Sequence, residues 1–242
     1  MADSSELCRN SQRTEGVRAV MDAQGIKDAA TRKALEREAY RIATQDGLTG
    51  LHNRAGLEDA FAYSMHRASE HRAPLGVVLL DVDSFHSYNG QFGHPQGDEA
   101  LREAGRRLRH SVRDVGDHVG RYGGEEFALL LSGESRDAGG KQLDEGLLGM
   151  LAERICRSIR TMRIGASSSL ENPTALYGKD GDRQKRFDEL TVSVGGILIP
   201  SDAGVVSFDD AFGAADRMLY ARKSKGRDGY DVGIFQPVTT RV

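Results

Sequence analysis

The chain has 242 residues, of which 38% are hydrophobic and 29% charged, with a net charge of −3, enough for one ordinary domain with an additional arm. That slight negative charge gives no electrostatic reason to expect nucleic acid or an anionic membrane as partner. No apolar run reaches transmembrane length, the N-terminus lacks a signal peptide's apolar core, and Cys8 and Cys156 stand in no metal or redox motif, so a reducing cytoplasm is the expected setting.

Residues 1–16 are polar and predicted to be frayed or disordered. From Val17 to Gln45 the pattern predicts a helix, weakly interrupted at Gly25, with Leu35, Ala39 and Ile42 on one face. That face is too narrow to make a core alone and needs a partner helix or the main domain. The breaker QDGLTGLHNR leads into a second helix over Ala55–Glu70. PLGVVLLDVDSF is a short apolar run ending in acids, as expected of a strand buried on both faces. GDEALREAGRRLRHSV is an amphipathic helix with Leu101, Ala104 and Leu108 inward.

In VGRYGGEEFALLL, Gly-Gly between two apolar runs predicts a hairpin. LLGMLAERICRSIRTM is helical, residues 164–188 form a long Gly- and Ser-containing loop, and LTVSVGGILI is a strand. FDDAFGAADRMLYARKSKG is a last helix with Ala211, Phe212, Ala215, Met218 and Leu219 inward and Gly226 at C′. Residues 46–231 read as one domain and 232–242 as a tail. Strands alternating with helices, around one antiparallel hairpin, imply an α/β (α+β) fold with a mixed central sheet and flanking helices.

Several residues carry chemistry. Asp81 and Asp83 stand at a strand's carboxyl end, where ligands collect in open sheets. A carboxylate there, with the Val82 carbonyl, offers oxygens to a hard divalent cation, and the N–H groups of Ser84 and Phe85 at the next helix start could cradle phosphate. The plain structural alternative makes Asp83 a helix cap and Asp81 a solvated acid. If the hairpin lies beside that strand, Glu125 or Glu126 can approach Asp81, and such acids repel unless a cation lies between them. Arg217, Arg222, Lys223, Lys225 and Arg227 cluster at the last helix's C-terminus, where cations ordinarily complement the helix dipole. Asn89, His94 and Asp98 occupy a Gly-rich loop and the start of the following helix, where Asp98 could serve as N-cap.

Four stretches in order, DGLTGLHNR, LLDVDSFHSYNGQFGHPQGDEAL, RYGGEEF and AADRMLYARKSKGRD, resemble the GGDEF-domain diguanylate cyclases, with GGEEF as a variant signature. The resemblance implies a fold like nucleotidyl cyclases and polymerase palms. It also implies condensation of two GTP into cyclic di-GMP and pyrophosphate across a homodimer, with Mg²⁺ or Mn²⁺, two per site. By the same resemblance, Asp81, the Val82 carbonyl and Glu125 hold metal, and Glu125 accepts the 3′-hydroxyl proton. Glu126 supports them. Ser84, Phe85, Lys223 and Arg227 bind the phosphates, and Asn89 and Asp98 read guanine with His94 nearby. A carboxylate at Asp98 can accept from guanine N1–H and N2–H₂, donors that adenine does not pair there.

The chain departs from the family at His86, where a lysine is usual, and at Gly90, where an aspartate is usual. The family's product-inhibition motif RxxD appears displaced by one residue, as Arg113 and Asp117 with Asp114 between, so tight product inhibition is not expected. Two further readings stand beside an active cyclase: a GTP or cyclic di-GMP receptor without turnover, and a cyclase of relaxed base choice.

Overall fold

The computed structural model describes residues 15–134, 142–162 and 190–236. Most of the N-terminal segment predicted to be frayed, the loop 164–188 and most of the C-terminal tail lie outside the described residues.

The helix predicted over Val17–Gln45 is two helices, α1 (residues 15–23) and α2 (Ala29–Thr44). Gly25 takes φ +69°, a left-handed conformation that ends α1, and Asp28 caps α2 by accepting from the Thr31 N–H at 2.7 Å. The arm folds back on itself: Arg18 donates to Glu36 at 2.7 Å and Arg32 to Asp22 at 2.6 Å. Of the apolar face foreseen on α2, Leu35 is 39% and Ile42 66% exposed.

The remaining elements are α3 (Arg54–His71), β1 (Leu75–Val82), α4 (Phe85–Phe92), α5 (His94–His110), β2 (His118–Arg121), β3 (Glu126–Ser132), α6 (Glu145–Arg160), β4 (Val192–Ile199), α7 (Phe208–Ser224) and β5 (Gly229–Ile234). They build a five-stranded sheet in the order β2-β3-β1-β4-β5, with β1 central and antiparallel to both neighbours. Only β4 and β5 are parallel, which makes the sheet mixed. The double-sided burial of β1 therefore comes from helices on both faces rather than from parallel pairing. On one face Val78, Leu80 and Val82 meet α4, α5 and α6; on the other Val77 and Leu79 meet α3 and α7. β5 occupies residues that the pattern left partly to a tail, and Phe235 beyond it is buried, donating its N–H to Leu198 at 2.8 Å. Its mixed GYDVGI sequence lacks the apolar run that announces β1 and β4.

Candidate active site

The β1–β3 ladder sets Asp81 directly opposite Glu126. Strand alternation places both with Leu79 and Ala128 on the face covered by α3 and α7. From α7, Lys223 Nζ reaches the Asp81 carboxylate at 2.9 Å. Burial, and then the Asp81 charge, push the Glu126 carboxyl above its usual range; Lys223 opposes the shift, while Asp216 and Glu125 add to it. A Cβ on Gly123 would meet the tip of the Glu126 carboxylate, which would have to shift to admit it. Glu125 lies one residue further out, in the turn, where its carbonyl accepts from the Val82 N–H at 3.2 Å. The acid facing Asp81 in the ladder is thus Glu126.

A hard divalent cation suits these donors. The carboxylates are negatively charged neighbours, and an ammonium already sits on one of them. Among the described residues no three His, Cys, Asp or Glu side chains converge on one point.

The turn between β1 and α4 carries Ser84 in a left-handed conformation, φ +58°, and its side chain makes no cap to α4. The first-turn N–H groups of α4, including Phe85, are therefore not taken by a side-chain cap. Asn89 lies in the last turn of α4 rather than in a loop. Its Oδ1 is buried without a partner, and a Cβ on Gly97 of α5 would collide with it. Helix α5 begins at His94, not at Gly97, with Pro95 in its first turn and Gly93 as N-cap. Asp98 is therefore inside the helix and not its cap; both His94 and Asp98 are exposed. The unpaired Asn89 oxygen and the open Asp98 carboxylate leave acceptors at the α4–α5 seam. His86 and Gly90 are exposed on α4.

Asp83 neither caps α4 nor meets solvent. It is 7% exposed, and accepts from Ser193 Oγ and Thr191 Oγ1, each at 2.7 Å, and from the Asp228 N–H at 3.1 Å. No local pattern foretells this, because its partners are more than a hundred residues away on β4 and after α7. Arg227 and Asp228 follow Gly226, whose φ of +112° fits the predicted C′ position.

The opening motif also has a role that sequence reading missed. Asp46 accepts from the Thr49 N–H at 2.9 Å and from Arg121 at 3.2 Å, and Arg121 donates onward to the Gly124 carbonyl at 2.7 Å. This arginine ties the end of the N-terminal arm to the hairpin turn. Next to it, His52 and His118 stand with ring centroids 5.6 Å apart. Burial holds the His118 imidazole down at about 4, helped by His52 and opposed by Asp117. On the far side of the hairpin, Arg113 Nη2 reaches Asp117 at 3.1 Å and the Ser132 carbonyl at 3.0 Å, so the displaced arginine is turned onto the buried aspartate.

The family described as diguanylate cyclase, GGDEF domain, matches residues 43–167. MucR of Pseudomonas aeruginosa, a bifunctional diguanylate cyclase/cyclic di-GMP phosphodiesterase, is 32% identical over 195 residues, or 80% of this chain and 24% of MucR. The chain spans less than half the length of this and the other curated relatives compared with it. The crystal structure of the GGDEF domain of DgcB from Caulobacter crescentus, in complex with c-di-GMP, matches with a TM-score of 0.62 at 25% identity, covering 79% of this chain and 95% of that one. Diguanylate cyclase SiaD from Pseudomonas aeruginosa, in complex with its activator SiaC, matches with a TM-score of 0.61 at 27% identity, covering 96% and 75%. No described helix is long and apolar enough to cross a membrane.

Proposed function

Because the chain belongs to the GGDEF domain family, we propose that it is a diguanylate cyclase, condensing two GTP into cyclic di-GMP with release of two pyrophosphates. Each subunit of a homodimer presents one GTP, and each 3′-hydroxyl attacks the α-phosphate held by the partner. The bond formed is 3′-O to Pα, the bond broken is Pα to the bridging oxygen of pyrophosphate, and the hydroxyl proton passes to the hairpin acid Glu125. The observation that carries this reading is Lys223 seated on Asp81 beside Glu126. A strand end that holds a cation against paired acids suits a metal–triphosphate substrate.

Asp81, the Val82 carbonyl and Glu125 would hold Mg²⁺ or Mn²⁺, two per site, which when bound supply charge neutralisation at the reacting phosphate and ease ionisation of the attacking hydroxyl. The chain's own groups do the positioning. The N–H groups of Ser84 and Phe85 receive phosphate oxygens, and Lys223 and Arg227 take the rest of the triphosphate. Asn89 Oδ1 and the Asp98 carboxylate accept from guanine, with His94 close by. Adenine lacks guanine's N1–H and N2–H₂ donors and would leave these acceptors unanswered on that edge, which also argues against relaxed base choice. Leu35 and Ile42, seven residues apart on α2, leave an apolar stripe that a second copy would cover. Arg113, already bound to Asp117, is a poor ligand for the product's phosphates, which supports weak feedback by cyclic di-GMP.

The deciding experiment incubates purified protein with GTP and Mg²⁺ and resolves the nucleotides. Cyclic di-GMP and pyrophosphate in a ratio of one to two, at a rate rising faster than linearly with protein, are expected. Absence of cyclic dinucleotide at high protein concentration would overturn the proposal. GTP binding without product would instead favour the receptor reading, for which the exposed His86, in place of a permanent lysine charge, is the motivation.

A further inference from the structure

Asp83 has none of the contacts expected of a metal ligand or a helix cap. One carboxylate oxygen accepts from Ser193 Oγ at 2.7 Å; the other accepts from Thr191 Oγ1 at 2.7 Å and from the Asp228 backbone N–H at 3.1 Å. Its own N–H donates to the Thr191 carbonyl at 2.9 Å. Ser193 is fully buried, and Asp83 is 7% exposed. A buried carboxylate stabilised by three dipoles is costly to leave with any one unmade.

The third of these contacts falls on a strained turn. Arg227 and Asp228 have φ of +62° and +44°, a backbone region that non-glycine residues seldom enter. Such a conformation persists only when its surroundings over-determine it. Arg222 holds the turn from α7, donating to the Arg227 carbonyl at 2.7 Å, and Arg160 holds it from α6 through the Asp228 carboxylate at 2.7 Å. Both of these clamps lie in exposed settings, the Arg160–Asp228 pair with side chains 44% and 41% exposed, where water competes. The Asp83 clamp is the buried one.

We infer that Asp83 is a positioning residue: through the Asp228 N–H it holds the Arg227–Asp228 turn so that Arg227 is presented to the triphosphate. This rests on the proposed GTP site and adds to it a residue that touches neither nucleotide nor metal. What the turn needs from Asp83 is acceptance of hydrogen bonds, not charge. An asparagine can place its carbonyl where one oxygen now takes Thr191 and Asp228, and donate its amide to Ser193, whose hydroxyl rotates to accept. A leucine fills similar space but leaves the Asp228 N–H facing carbon.

The test measures GTP and GMP binding by calorimetry on the full chain for wild type, Asp83→Asn and Asp83→Leu. Asp83→Asn is expected to stay within about threefold of wild type for GTP, while Asp83→Leu loses about tenfold or more. GMP affinity should be unchanged in both, because the guanine contacts and the α4 start are untouched. In an Arg227→Gln background, Asp83→Leu should cost little further, since the two residues act through one another. Equal losses in the Asn and Leu variants, or equal losses of GTP and GMP, would overturn the assignment, as would full GTP affinity in Asp83→Leu. Should the Leu variant lack a cooperative melt, Thr191→Val serves instead: loss of GTP affinity with GMP retained supports the assignment, and no change overturns it. Wild-type protein that binds neither nucleotide would overturn the GTP site itself, and the inference with it.

Discussion

The strand-end site and the N-terminal arm are held by opposite means. Around β1 and the hairpin the acids are buried or partly buried and answered within the chain: Asp83 by Thr191, Ser193 and Asp228, Asp81 by Lys223, Asp46 by Thr49 and Arg121. The arm is fastened to itself by partly exposed ion pairs, Arg18–Glu36 and Arg32–Asp22, and leaves Leu35 and Ile42 in solvent. Exposed pairs contribute only about 0–1 kcal/mol each, whereas an unmade buried hydrogen bond costs about 1–3 kcal/mol. The site is thus preorganised by one chain, and the arm's geometry waits on what covers it. The two regions meet through the Asp46–Arg121–Gly124 chain of contacts, the adjoining His52–His118 pair, and bonds from α2 to α3 and its cap, Tyr40 donating to Asp59 at 3.1 Å and the Asn53 N–H to the Thr44 carbonyl at 2.9 Å.

The sharpest way to separate chemistry from architecture is Asp81→Asn. Turnover should fall about 10³-fold, equivalent to about 4 kcal/mol of transition-state stabilisation. The melting temperature should hold or rise, because the Asn removes a charge that repels Glu126. Product formation and a thermal melt on the same sample check both halves; retained turnover would remove Asp81 from the chemistry.

The junction should respond to acid. His118 titrates at about 4 in the folded protein, chiefly because it is buried, and His52 is lowered for the same reason. A histidine whose folded pKa is depressed below about 6.5 is neutral in the fold, so the unfolded chain binds more protons. Stability is complete above about pH 6.5 and is lost as pH falls toward 4, by on the order of 3 kcal/mol from His118. Carboxylates titrate in the lower part of that window, so the comparison is with His118→Leu, whose stability curve should be flatter between pH 6.5 and 4. Parallel curves would show that the pair does not titrate as the junction's burial requires.

This contrast also explains what could be read in advance. The acid-ended run of β1, the inward faces of α5 and α7, and the glycine hairpin are local patterns, and each appears where periodicity and turn chemistry place it. Asp83 was legible as a candidate cation ligand or a helix cap and not as the hub it is, since its partners Thr191, Ser193 and Asp228 come from distant strands and turns. The Asp81–Glu126 pairing depends on ladder register, which GGEEF alone leaves open by one residue. The arm misled for a different reason: Gly25 is a weak interruption by propensity, but with φ +69° and Asp28 capping the next helix it becomes a reversal. β5 carries too little apolar sequence to announce an edge strand.

Removing the arm tests the other side of the contrast. Deleting residues 1–40 takes away α1 and most of α2 but keeps Asp46 and its bond to Arg121. GTP affinity should be unchanged within about twofold, while turnover at limiting protein should drop about tenfold and recover as concentration rises. Rates at dilute and concentrated protein, alongside calorimetry, check this. Unchanged turnover at limiting concentration would mean that the apolar stripe on α2 does not bring subunits together.

The smallest effect concerns the cation already inside the site. Lys223 Nζ stands 2.9 Å from the Asp81 carboxylate, with Asp81 14% exposed, so a divalent cation approaching Asp81 must displace an ammonium before it gains a ligand. In the proposed site the same lysine would move to the triphosphate once a nucleotide arrives, which would make metal and GTP binding mutually favourable. In Lys223→Met, Mn²⁺ affinity without nucleotide should therefore rise several-fold, because the acids are left uncompensated. GTP affinity should fall by a similar factor, because a phosphate ligand is gone. Mn²⁺ binding followed by electron paramagnetic resonance reads the first change without any turnover. If the variant binds bare Mn²⁺ no better than wild type, Lys223 is not the group that holds the acid pair in readiness, and the site's preorganisation must come from the Glu126–Asp81 register alone.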